Sequence, residues 1–366
     1  MSGSSGERLD RLRLIRSQNV GPVSFRQLLE RFGSARAALD ALPELARRGG
    51  TRRALRICDV AEAEREVAAI AELGGRQIVV GDADYPAALA AVPDAPPVLS
   101  VLGDGALLSR TSVGIVGARN ASTNGRRFAE TLARDLSESG VVVVSGLARG
   151  IDAAAHSGAV DGGTAAVLAG GVDIVYPKEN ADLYAAIRAK GAVVSERPPG
   201  AEPQARHFPI RNRIISGLAL GVVVVEAALR SGSLITARRA GEQGREVFAV
   251  PGSPLDPRAR GANGLIRNGA TLVESAEDVL EGIRPMRAPG LSEPGRPSAP
   301  TDSFDDDELA AARTVVAERL GPNPVSVDTL IRDTGLSTAV VWAVLLELEL
   351  AGRLERQPGG QVALLV

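Results

Sequence analysis

The sequence predicts an α/β protein: a doubly wound parallel sheet, preceded by a helical module and followed by a winged helix. Three observations carry this. Between about residue 80 and residue 250, short β-branched runs alternate with helix-like stretches, and two runs, Val141–Val144 and Val222–Val225, are unbroken valine. Continuous apolar runs of that length mark parallel strands buried on both faces. The first 75 residues carry apolar positions at helical spacing, and roughly the last 60 read as helices followed by a glycine-turned hairpin.

The front module opens with Leu9, Leu12, Leu14 and Ile15 at helical spacing, broken at Asn19-Val-Gly-Pro22. Leu28, Leu29 and Phe32 then share a face, and Gly33-Ser34 stops that helix. The pattern resembles sterile-alpha-motif and helix-hairpin-helix modules. In hairpin modules a glycine-containing turn can offer backbone N–H groups to phosphate; an ordinary packing module is the alternative. Strands are expected at Ser112–Val116, Val141–Ser145, Thr164–Leu168, Ala192–Ser195, Gly221–Val225 and Glu246–Val250, with helices near 124–139, 150–161, 180–190, 207–217 and 233–244. Ligands of such a sheet bind beyond the carboxyl ends of its strands. Pro285, Pro289, Pro294, Pro297 and Pro300 mark 285–303 as a linker. Beyond it, a helix over about 306–320 leads to Val327–Thr334. Ser337 then N-caps a helix running to about Leu350, and 351–356 with 360–366 forms the hairpin. The expected division is 1–78, 79–284, 285–303 and 304–366.

Composition narrows the function. The 366 residues contain no apolar run of 18, so no membrane span or membrane partner is expected. No apolar stretch follows the N-terminus, so no signal peptide is visible. The single cysteine, Cys58, has no internal disulfide partner, which fits a cytoplasmic protein. The only histidines are His156 and His207, so no metal-ligand spacing is present, and no cofactor is expected. A net charge of -2 does not announce nucleic acid, but its distribution is uneven. Residues 1–57 hold twelve arginines against five acids, a balance of +7, whereas 301–312 holds five acids and no base. Lysine occurs twice, at 178 and 190, so phosphate contacts must be mostly guanidinium forks.

The dinucleotide fingerprint G-x-G-x-x-G is not met at Gly114-Ile-Val-Gly117, and the second strand ends in Ser145-Gly146, not in an acid. The Walker A pattern is absent as well. Three strand-end loops instead share one chemistry: Gly117-Ala-Arg-Asn-Ala-Ser122, Ser145-Gly-Leu-Ala-Arg-Gly150 and Ser231-Gly-Ser-Leu-Ile-Thr236. Each leads into a helix whose N-terminus attracts phosphate. A basic strip, Arg206-His-Phe-Pro-Ile-Arg-Asn-Arg213, adds three guanidinium groups and one aromatic. Phosphate cradles beside an aromatic face are what a single-stranded nucleic acid requires. The alternatives are an exposed helix face that is merely solvated, with Phe208 as a loop anchor.

These motifs resemble the DNA-processing protein A (DprA/Smf) family. The resemblance rests on Gly114-Ile-Val-Gly-Ala-Arg119, 145–152, Gly170-Gly-Val-Asp-Ile-Val-Tyr-Pro177, 208–217, Val225-Glu-Ala227, 231–237 and Val250-Pro-Gly252, in order over some 140 residues. It implies a non-enzymatic protein of natural transformation with a Rossmann-like domain. Such a protein binds incoming single-stranded DNA, protects it, loads RecA recombinase onto it against single-strand-binding protein, and forms a homodimer. The resemblance implies DNA contact at Arg119, Phe208, Arg211 and Arg213 and a pocket lined by Ser145 and Gly146; the strand-end loops and the basic strip add Gly117, Asn120, Ser122, Arg206, His207, Asn212, Ser231, Gly232 and Ser233 to the expected DNA-binding set. Some members place a lysine just before the Phe-Pro pair, where this chain has Arg206 and His207.

Two other classes compete. A phosphoribohydrolase-like enzyme would use Asp152, Glu196 and Glu226, but the Pro-Gly-Gly-x-Gly-Thr loop it needs is replaced by Pro251-Gly-Ser-Pro254 and Ser231-Gly-Ser233. A duplex-binding regulator would read DNA through helix 337–350, which carries Glu347 and Glu349 and no base, although Arg353 and Arg356 in the wing remain available to DNA. A protein-contact or auxiliary role suits that helix better.

Overall fold

The computed structural model describes residues 5–51, 53–287, 306–357 and 359–365. They fall into two compact units, Glu66–Leu291 and a second one built from both ends of the chain, Met1–Arg65 with Ser292–Val366.

The front module contains α1 (Ser5–Arg16), α2 (Pro22–Phe32) and α3 (Ala35–Arg48). Pro22 occupies the first position of α2, where its missing N–H costs nothing. Gly33 closes α2 in the left-handed region, and the Ser34 side chain caps α3 by accepting the Ala37 N–H at 3.2 Å. Leu12, Leu14, Phe25, Leu28, Leu39 and Leu42 are buried.

Helix α4 (Val60–Glu72) leads into the α/β unit, which continues with β1 (Arg76–Val79), α5 (Ala87–Ala90), β2 (Val98–Gly103), β3 (Ser112–Gly117), α6 (Thr123–Glu138), β4 (Val142–Ser145), α7 (Ile151–Ala159), β5 (Thr164–Val167), α8 (Ala181–Lys190), β6 (Ala192–Ser195), α9 (His207–Leu218), β7 (Gly221–Val225), α10 (Ser233–Glu242), β8 (Glu246–Ala249), α11 (Arg260–Arg267), β9 (Thr271–Leu272) and α12 (Ala276–Arg287). Nine strands form one sheet in the order β1-β2-β6-β5-β4-β3-β7-β8-β9. Strands β3 to β9 run parallel, while β2 is antiparallel to both β1 and β6. Leu89, Ile214, Ile215 and Leu218 of α5 and α9, with Ala237 and Ala240 of α10, cover one face. Leu132, Leu136, Ile151, Ala155, Val279 and Ile283 of α6, α7 and α12 cover the other. The sheet is thus doubly wound, and its chain order reverses between β3 and β7, the switch point where such sheets bind ligands.

All six expected strands and all five expected helices appear within two residues of their predicted ends. Strands β1, β2 and β9 were not anticipated; they extend the sheet at its edges, where pairing partners, more than local pattern, decide the conformation. Pro285 lies inside α12, and not in a linker, because helix formation continues to Arg287; residues 288–303 of the expected linker lie outside the described residues.

The C-terminal part contains α13 (Asp306–Arg319), β10 (Val325–Ser326), α14 (Val327–Thr334), α15 (Thr338–Leu350), β11 (Leu354–Gln357) and β12 (Gln361–Leu364). Ser337 caps α15 by accepting the Val340 N–H at 3.3 Å. β10 adds a third strand to the hairpin, in the order β10-β12-β11. Helix α15 is apolar on nearly every side, and Val340, Val341, Val344, Leu345, Leu346, Leu348 and Leu350 are all buried. Such a helix needs cover all round. The winged-helix core covers part of it, and α2 and α3 pack on the rest, so the two chain ends share one unit.

Among the described residues, no single helix is long and apolar enough to cross a membrane.

Candidate nucleic-acid interface

A cleft of about 540 Å³ opens beyond the carboxyl ends of β3 and β7. Its lining includes Gly117, Arg119 and Asn120 from the first loop, Phe208, Arg211 and Asn212 from α9, and Ser231, Gly232 and Ser233 from the third loop. Nine of the fifteen residues expected from sequence therefore meet there. Gly117 is required because a Cβ would overlap the Val225 carbonyl oxygen where the two strands end side by side.

Phe208 sits in the first turn of α9, with Pro209 behind it, and is half-buried. The Arg119 guanidinium lies 5.1 Å from its ring centroid, within cation–π range, and Arg211 at 6.0 Å. The Tyr176 ring is 5.7 Å away and inclined at 58°. Arg119 and Arg230 are exposed. Arg230 and Arg258 add two cationic side chains to the cleft, Arg258 being ion-paired with Asp256 at 2.8 Å. Sequence reasoning missed both. Arg230 directly precedes the Ser231 loop and was within reach of it; Arg258 arrives from the segment after β8, with no local signal.

The two other arginines of the basic strip differ from the expectation of exposed forks. Arg211 is 5% exposed, and its Nη1 donates to the Gly146 carbonyl at 2.8 Å and to the Val167 carbonyl. A Cβ at Gly146 would fall inside this guanidinium, so glycine there makes room for the strut. Burial brings Arg211 down to about 10, opposed by the nearby Asp152 carboxylate, so it stays protonated at neutral pH. Burial pushes the Asp152 carboxyl up, while Arg211 and the N–H groups of Ala148 and Gly146 oppose the shift. Arg213 is 4% exposed and is held by Glu196, by the Asp94 carbonyl at 2.5 Å and by the Asp94 carboxylate at 3.9 Å. It does not line the cleft.

The helix N-termini are also less open than their sequences suggest. Ser122 caps α6, and the Glu226 carboxylate accepts the Ser122 N–H at 2.8 Å as well as its hydroxyl. The protein's own carboxylate thus fills the anion position at α6. In the second loop, Asp152 accepts the Gly146 and Ala148 N–H groups at 3.2 and 3.4 Å. Ser145 is buried and donates to the Ile115 carbonyl at 2.6 Å. In the third loop the Ser231 and Ser233 hydroxyls bond each other at 2.7 Å, ahead of α10. Arg206 is exposed at the start of α9, and buried His207 accepts the Gln204 N–H at 3.2 Å. Burial, then Arg197 and Arg206, push the His207 pKa down.

Beneath the site, His156 is fully buried, with Nδ1 2.7 Å from the Thr164 hydroxyl. Burial, with Arg211 adding to it, brings its pKa from 6.5 down to about 3. The unfolded chain therefore takes up this proton near pH 6.5 and the folded chain does not, so stability is fully present above that pH and declines towards pH 3. Between pH 7 and pH 5 the expected loss is about 2 kcal/mol. Urea melts at both pH values check it: His156→Gln should show a shallower decline than the native chain, and equal declines would exclude His156 as the source.

Three family models match the chain: DNA recombination-mediator protein A over 76–284, the DprA-like N-terminal HHH domain over 5–69, and the DprA winged helix domain over 297–360. Protein Smf of Escherichia coli is 43% identical over 286 residues, covering 76% of this chain and 75% of the relative. DNA processing protein DprA of Bacillus subtilis is 46% identical over 233 residues, covering 63% and 78%. The X-ray structure of DprA from Streptococcus pneumoniae superposes with a TM-score of 0.62 at 38% identity, over 76% of this chain and 97% of that one. A structure of DNA processing protein A from Helicobacter pylori, described for its single-stranded DNA binding mode, gives 0.52 at 28%, over 56% and 94%. The mixed sheet, the helical front module, the winged helix and these matches agree: the chain belongs to the DprA/Smf family of DNA-processing, recombination-mediator proteins.

Proposed function

We propose that this chain binds single-stranded DNA in the β3/β7 cleft, protects it and loads RecA recombinase onto it during natural transformation, working in the cytoplasm as a homodimer alongside single-strand-binding protein. The observation that carries the reading is the pairing of Phe208 with Arg119 at 5.1 Å, at a switch-point cleft lined by Arg230 and Arg258. A base stacks on an aromatic face while guanidinium groups take the flanking phosphates. The single-stranded DNA binding mode of the Helicobacter pylori relative supports it. Within the proposed contact set, Arg119, Asn120, Phe208, Asn212 and the Ser231 loop touch DNA. Gly117, Ser122, Ser145, Gly146 and Arg211 shape the cleft and its loops, Arg213 braces α9 against Asp94 and Glu196 away from it, and Arg206 and His207 flank it.

The carboxylates an enzyme would need are committed elsewhere: Glu196 to Arg213, Glu226 to Ser122, and Asp152 to its loop N–H groups beside Arg211. That favours binding over catalysis. Fluorescence anisotropy with a labelled oligomer, single-stranded against duplex, at two salt concentrations, tests the reading. Strong single-strand preference is expected, with affinity falling steeply as salt rises because phosphate neutralisation releases counterions. Equal binding of both forms, or none, would return the duplex-regulator and nucleotide-enzyme readings to the front.

A further inference from the structure

Hairpin modules contact nucleic acid through their glycine turn, and winged helices through their second helix-turn-helix helix, which lies in the major groove. In this chain those two faces meet inside one unit. Asn19, in the turn between α1 and α2, donates from Nδ2 to the Leu350 carbonyl at the end of α15, at 3.0 Å. Two of the turn's own N–H groups are taken: Gly21 donates to the Ser24 hydroxyl at 2.8 Å and Val20 to the Ser17 carbonyl at 3.3 Å. Where a phosphate would approach, the Glu349 carboxylate stands 3.7 Å from the position of a Cβ on Gly21. At the other end of the seam, Arg353 donates to the Gly49 carbonyl at 3.3 Å, and a Cβ on Gly49 would overlap the Glu347 carbonyl oxygen.

Charge runs the same way. Glu347 is fully buried, paired with Arg313 at 2.6 Å and attracted by Arg31 and Arg48 of the front module. Glu349 is likewise paired inside the winged-helix part, with Arg356 at 2.7 Å, so both acids that make α15 a poor groove reader are neutralised there first and lie along the seam with the module that carries the +7 balance. We propose that the recognition face of α15 is an intrachain docking surface whose occupant is the chain's own N-terminal hairpin module. While this clasp is shut, neither module reads duplex DNA, and DNA capture is left to the other unit.

Hydrogen exchange on the full chain, read by mass spectrometry, tests this. Gly49→Val, which introduces a side chain where there is no room, should speed exchange at least tenfold in 17–24 and 338–350 together, with β11 and β12 still protected. If Gly49→Val unfolds the whole unit, the milder Asn19→Ala decides, with a coupled rise of a few fold in the same two segments. A rise in one segment alone, or in neither, overturns the clasp. So does added protection of 17–24 or 338–350 when the native chain is saturated with a 30-base-pair duplex; unchanged exchange there is the expected result.

Discussion

Phe208→Ala should weaken single-stranded DNA binding by about 1–3 kcal/mol, or roughly five- to 150-fold, without unfolding the protein. The ring is half-buried at the cleft, beside Arg119 and Tyr176, so truncation removes a stacking face and little core. Arg119→Ala should act on the same binding through a different quantity. Arg119 is exposed, so its loss should flatten the dependence of log affinity on log salt by about one phosphate's worth. Anisotropy titrations of both variants across a salt series, with thermal melts as the fold control, separate the two effects. Native-like affinity in both would take the DNA path away from this cleft.

Arg211→Met carries the second large effect, of a different kind. The guanidinium is a strut joining the Gly146 and Val167 carbonyls next to buried Asp152. Removing it leaves two buried carbonyls without their donor and the nearby Asp152 carboxylate without a compensating cation, at a cost of about 3–5 kcal/mol. The α/β unit should therefore melt roughly 6–20 °C lower. DNA binding should suffer only because the loop at Gly146 is released. An unchanged melting temperature with lost affinity would instead make Arg211 a direct DNA contact, as its place in the basic strip first suggests.

Much of the fold was legible locally. The valine runs at 141–144 and 222–225, the Ser337 cap and the Gly33-Ser34 stop each act within a few residues, and the elements they predict are present. The cleft's location was legible too, since strand-end loops of a doubly wound sheet converge at one edge. The outer strands β1, β2 and β9 were not, because their conformation depends on neighbours supplied by other parts of the chain.

What the sequence determined by itself was the central strands and helices of the sheet, the edge at which the cleft opens, and the chemistry gathered there: arginine, hydroxyls and one aromatic. What only the tertiary structure decided was which of those groups remain available. Arg119 and Arg213 look alike in sequence, yet one is exposed while the other is closed in by Asp94 and Glu196. Ser122 looks like a phosphate cap, yet Glu226, 104 residues on, already fills it. The two chain ends read as separate modules, yet α15 is apolar all round and takes α2 and α3 as cover. The reason is common to all three. Periodicity and capping are set by nearest neighbours along the chain, whereas the burial of a charge and the covering of an apolar face are set by partners that only folding brings together.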